Sequence, residues 1–186
     1  PVAQNSAKRY SVSFASSNNP QPGKETELRL KVYDATSGTP ITLFTNNFEK
    51  LAHLVIVDSS LNQFDHVHPA FEGKEFSIQH IFNKSGLYHL YLDFLPFNSV
   101  EQQFAFTLAV GKNDLIEEVD MPEDKGLTKV FDGYEIALNK KGDLTSKDLS
   151  LGKTTFTFAL RNSSTKQPIN DLEPYLGAFG HLVMIN

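Results

Sequence analysis

The sequence has no cysteine, no tryptophan and only two methionines, Met121 and Met184. Without thiolates the chain can form no disulfide, thiol nucleophile, blue-copper centre, iron–sulfur cluster or cysteine–zinc site. Two methionines so far apart make no copper(I) sulfur cluster, so any copper would be copper(II). Positive charge is also in short supply. Lys and Arg number 17 against 22 Asp and Glu, a net charge of −5, with no basic stripe. Nucleic acid is therefore not an expected partner, because no cationic face is present to neutralise a phosphate backbone. No apolar run approaches the roughly 20 residues of a membrane-spanning helix, and the opening PVAQNSAKRY lacks the apolar centre of a signal peptide. The chain reads as a soluble form, mature or trimmed, with membrane attachment only through a removed lipid anchor. The G-x-S-x-G elbow, the Gly-rich phosphate loop and the H-E-x-x-H helix are all missing, so no catalytic residue is nominated and a non-enzyme is expected.

What the sequence does hold is aromatic bulk: 15 Phe and six Tyr, with 40% apolar residues overall. That is ample for a packed core. Short alternating runs, YSVSF, TELRLKVYD, HLVIVD, FSIQHIF, GLYHLYLDF and QQFAFTLAVG, are separated by NNPQPG, ATSGTP, DSSLNQ, NKSG and LPFNS. Alternation is the strand period, and the separators carry the residues that turns need. No helix of crossover length intervenes, so the pattern predicts an all-β antiparallel sandwich.

The organisation along the chain follows from where that pattern stops and restarts. Residues 1–9 read as a tail, 10–111 as a first sandwich module, 112–126 (KNDLIEEVDMPEDKG) as an acidic linker, and 127–186 as a second module. The linker's carboxylates lack the spacing of a calcium loop. LGKTTFTFALRNSSTKQPIN matches PGKETELRLKVYDATSGTPIT if one residue is skipped at the turn. From Pro40 and Pro168 onward the copies run 128 residues apart, pairing His53 with His181. The partners of residues 59–110 would fall past Asn186, so the second module reads as truncated, completed by more chain or by a second chain at its exposed edge.

Three of the six histidines fall in HLVIVDSSLNQFDHVHP: His53, His66 and His68. Alternate strand residues share a face, so 66 and 68 point the same way. If DSSLNQ folds back, 54–57 pairs with 64–67, and His53 lies opposite His66 or His68, within about 4.5–5.5 Å at Cβ. Three neutral imidazoles suit one zinc or copper(II) ion. Asp65 should face away from them, while Asp93 and Asp58 are candidate oxygen donors or outer partners. The plainer alternative is that these histidines hydrogen-bond backbone carbonyls at a sandwich corner. His80 and His89 each sit alone in a strand and are read as structural. His181 would belong to a second, incomplete site.

The segments HLVIVDSSLNQFDHVHP, SGLYHLYLDFLP and EPYLGAFGHLVMIN resemble bacterial secreted proteins or lipoproteins related to YtkA-like domains, with His66-Val67-His68-Pro69 as the H-x-H-P element. The resemblance implies an immunoglobulin-like sandwich, which with the repeat makes two in tandem, the second incomplete, and also a periplasmic, cell-surface or secreted location and an association with copper or other heavy metals. Three functions are in view: a metal-binding module, a structural or adhesive sandwich without metal, and a metal-dependent hydrolase.

Overall fold

The computed structural model describes residues 9–17, 19–111, 126–143, 152–175, 177–180 and 182–184. The tail apart from Arg9, the acidic linker apart from Gly126, and His181 lie outside the described residues. The chain divides into two compact units, Pro1–Met121 and Pro122–Asn186. The described residues form strands and turns with no helix, and every strand pairing is antiparallel.

In the first unit the strands are β1 (Tyr10–Ser16), β2 (Glu25–Asp34), β3 (Phe44–Thr45), β4 (Ala52–Asp58), β5 (Phe64–Val67), β6 (Ala70–Phe71), β7 (Phe76–Ile81), β8 (Gly86–Pro96) and β9 (Gln102–Val110). One sheet runs β1-β2-β7-β6. The other runs β3-β8-β4-β5, with β9 also on β8. The alternation that marks these segments as strands also divides their side chains. Leu28, Leu30 and Val32 of β2, with Phe76 of β7, face Leu54 and Ile56 of β4 and Tyr88, Leu90, Leu92 and Phe94 of β8 in one buried cluster. Phe44 wedges into it edge-on against Phe76 and Phe94. The result is a β-sandwich, in which neither sheet could hide its apolar face without the other.

Strand β4 departs from simple alternation, because Ala52 through Val57 are all buried. Its outer side carries small Val residues flanked by bulkier neighbours in the adjoining strands. Val55 lies between His66 of β5 and Tyr91 of β8, and Val57 between Phe64 and His89. His53 occupies the same row, opposite Asp93.

The second unit contains β10 (Thr128–Phe131), β11 (Tyr134–Lys141) and β12 (Thr155–Asn162) in one three-stranded sheet. Its hydrogen bonds repeat those of the first unit. Ile41 N–H donates to Val32 O at 2.9 Å, and Ile169 N–H to Leu160 O at 3.0 Å. The Asp34 carboxylate accepts from Thr36 and Ser37 N–H, as the Asn162 amide oxygen does from Ser164 and Thr165. These partners lie 128 positions apart, turn included, so the skipped residue falls before Val32 and not at the turn. The equivalents of Leu28, Leu30 and Val32 are Phe156, Phe158 and Leu160, and Phe158 is exposed here.

Candidate functional site

The hairpin β4–β5 pairs Leu54 with Val67, Val55 with His66, Ile56 with Asp65 and Val57 with Phe64. This is the register expected from the sequence. The Asp58 side chain fixes it by accepting from Asn62 N–H at 2.8 Å, Gln63 N–H at 3.0 Å and Ser60 Oγ–H at 2.6 Å. Burial pushes the Asp58 carboxyl up, but those donors outweigh it and hold it below the usual carboxylate range. Asp58 thus stitches the loop at the end of β4 remote from His53 and is not an oxygen donor to the histidines. At the other end Pro69 lacks an N–H and favours an extended His68, so pairing stops at Val67 while His68 keeps the face of His66.

The three imidazoles meet on that face. Ring centroids are 5.2 Å apart for His53 and His66, 4.9 Å for His53 and His68, and 4.9 Å for His66 and His68. One nitrogen from each lies within 4.8 Å of the others, with His53 Nδ1 3.1 Å from His66 Nε2. Nitrogens bound at 2.0–2.1 Å to a tetrahedral zinc stand about 3.3 Å from one another, close to the 3.1 Å of the His53–His66 pair. The trio could hold a metal ion.

The hydrogen bonds decide which nitrogens are available. His53 Nε2 lies 2.7 Å from the carbonyl oxygen of Asn47. A carbonyl can only accept, so Nε2 carries the hydrogen and Nδ1 presents its lone pair to His66 and His68. This is the backbone contact of the plainer alternative, yet it uses only one nitrogen of His53 and aims the other inward. His53 itself is 6% exposed and the His68 Nε2 atom is buried.

Asp93 stands directly across from His53. Burial, joined by the nearby Glu101 charge, pushes its carboxyl above the usual range, while a hydrogen bond with Gln103 and the proximity of His53 pull it down. The cluster of mutually close ligand atoms comprises the three histidines without Asp93. Asp65 faces away, as expected, towards the opposite sheet, where its carboxylate lies 3.7 Å from His80 Nε2. His80 also packs edge-on against Phe82, and His89 Nε2 lies 3.5 Å from Ser59 Oγ. Neither belongs to the cluster of close ligand atoms.

Reading the residues did not anticipate the turn that supplies the Asn47 carbonyl. Residues 47–50 close a two-residue hairpin turn, with Asn47 N–H donating to Lys50 O at 2.8 Å and Lys50 N–H to Asn47 O at 3.2 Å. Both central residues are left-handed, Phe48 at φ 46° and Glu49 at φ 67°. Asn or Asp followed by Gly favours this geometry, as in Asp132-Gly133 between β10 and β11 at φ 47° and 80°. A Cβ costs about 1–2 kcal/mol there. The Phe48 ring stands edge-on to His53 at 6.3 Å. The one available signal lay in the repeat, since Glu49 matches Gly177, which sits at φ 76°.

A β-sandwich carrying a histidine trio on the outer face of one hairpin defines the class. The chain belongs to the family described as Domain of unknown function (DUF8832), whose model matches residues 5–112 and 128–186. No curated protein and no solved structure matches the chain.

Proposed function

We propose that the first unit is a metal-binding module in which His53, His66 and His68 hold one zinc or copper(II) ion. The observation that carries this reading is the convergence of three imidazole nitrogens within 4.8 Å, two of them presented from the paired hairpin and the third, His68, from the residue just after it. Three uncharged imidazoles are a donor set of intermediate softness that suits these two ions, and a fourth position is left for water or an exogenous ligand. The outer hydrogen bond from His53 to a carbonyl is the arrangement that orients metal-ligating histidines generally.

The test is calorimetric titration of zinc and copper(II) into the chain and into the His66→Ala, His68→Ala double variant, with far-UV circular dichroism as the folding control. Near one ion per chain, lost in a folded variant, supports the reading. Binding no tighter than about 0.1 mM in both, worth only about 5 kcal/mol, refutes it.

A further inference from the structure

The Asn47–Lys50 turn has a counterpart in the second unit. Tyr175 N–H donates to Ala178 O at 2.8 Å and Ala178 N–H to Tyr175 O at 3.2 Å, the same ladder 128 residues later. The scaffold therefore forms without an Asn at its first position. What the first unit adds is a side-chain link: Asn47 Nδ2 donates to Glu101 Oε1 at 2.6 Å, across 54 residues of sequence. Glu101 stands immediately before β9, and β9 lies on β8, the strand that also pairs with β4. The link thus ties the turn to the sheet that carries His53. It also involves a carboxylate acceptor, the stronger kind of hydrogen bond.

The turn's connection to the trio runs through one atom. The Asn47 carbonyl oxygen accepts from both Lys50 N–H and His53 Nε2–H, so both its lone pairs are used. Where that oxygen sits decides which nitrogen of His53 holds the hydrogen and at what angle the ring stands. A neutral imidazole has one N–H, and either tautomer is accessible without such a partner. Were the carbonyl to swing away, Nδ1 could take the hydrogen and would stop presenting a lone pair to the other two rings.

We propose that Asn47 is a positioning residue for the histidine trio: its side-chain bond to Glu101 holds the turn so that its backbone carbonyl locks His53 in the Nε2–H tautomer, presenting Nδ1 to His66 and His68. The tautomer is a property of the metal-free chain, whereas the effect on metal affinity rests on the metal-binding reading above. Neither Asn47 nor Glu101 belongs to the cluster of close ligand atoms. They act on it through the orientation of one ligand.

The experiment uses the full chain labelled with 15N. Long-range 1H–15N spectra of the metal-free protein, with His53 assigned from a His53→Gln variant, report which nitrogen bears the hydrogen. Zinc titration of the same samples gives the affinity. In the unsubstituted chain His53 should show a single Nε2–H tautomer. Glu101 is exposed, so Glu101→Ala leaves the core intact. It should shift His53 to a mixture of tautomers and weaken zinc binding roughly 10-fold or more, the usual effect of removing an outer partner. Asn47→Ala should do the same, and the double variant no more than either alone, because both break one interaction. Glu101→Gln keeps an oxygen acceptor and should retain the single tautomer and an affinity within roughly threefold of the parent. An unchanged His53 tautomer in Glu101→Ala and Asn47→Ala overturns the positioning role, whatever the zinc result. If even the unsubstituted chain binds no zinc, the metal-binding reading fails by itself, and the tautomer comparison still decides for or against Asn47.

Discussion

Replacing Glu49 by glycine should stabilise the first unit, although it removes a side chain and adds nothing. At φ 67° the Cβ of Glu49 crowds its own backbone, a cost of about 1–2 kcal/mol that glycine does not incur. Against this, glycine loses more conformational freedom on folding, a penalty of about 0.5–1 kcal/mol. The Glu49 side chain is exposed, so little packing is lost. The net expectation is stabilisation by about 0.5–1 kcal/mol. For a unit spanning Pro1–Met121, an unfolding entropy of about 2.1 cal/mol/K per residue converts this into a rise of about 2–4 °C in Tm. With no tryptophan in the chain, far-UV circular dichroism and tyrosine fluorescence are the probes. The reciprocal change, Gly177→Glu, places a side chain at φ 76° and should destabilise the second unit. Glu49→Gly lowering Tm would refute the reasoning, since the carboxylate would then be contributing more than its backbone conformation costs.

Two further substitutions probe the sandwich. Leu92 is fully buried in the middle of β8, and Leu92→Ala should cost about 3 kcal/mol in urea unfolding through lost burial and the cavity left behind. A loss below about 1 kcal/mol would show that the two sheets do not close over it. Burial lowers the pKa of His80 below its ordinary value of 6.5, against the opposing pull of Asp65. The unfolded chain then binds more protons than the folded one just below pH 6.5, so His80's contribution is fully present above that pH and is lost as the pH falls through the folded-state value. His80→Gln should therefore flatten the fall of unfolding free energy between about pH 7 and 5. An unchanged slope would assign that dependence to other groups.

How far the site was legible depends on the range over which each part is determined. The β4–β5 hairpin was readable because its register is set locally, by the DSSLNQ loop with Asp58 accepting from Asn62 and Gln63, and by Pro69 at the far end. Period-two alternation then put His66 and His68 on one face and Asp65 on the other without further information. Asp58 was misjudged because its position near a strand end is equally compatible with a ligand and with a loop clamp, and only the donors Ser60, Asn62 and Gln63 decide between them. The parts that orient His53 were not legible. The Asn47 carbonyl is backbone, so no residue type announces it. Glu101 reaches Asn47 from 54 residues away through the pairing of β8 with β9. The left-handed Phe48-Glu49 pair lacks the Asn-Gly or Asp-Gly signature of such turns. Which histidines come together is thus written in a short stretch of sequence, while their orientation comes from contacts that only the folded sheet brings together. Histidines predicted from spacing alone need their outer hydrogen bonds before they can be judged as a metal site, because the same Nε2 contact that fits a merely structural histidine is what leaves the Nδ1 of His53 facing the other two rings.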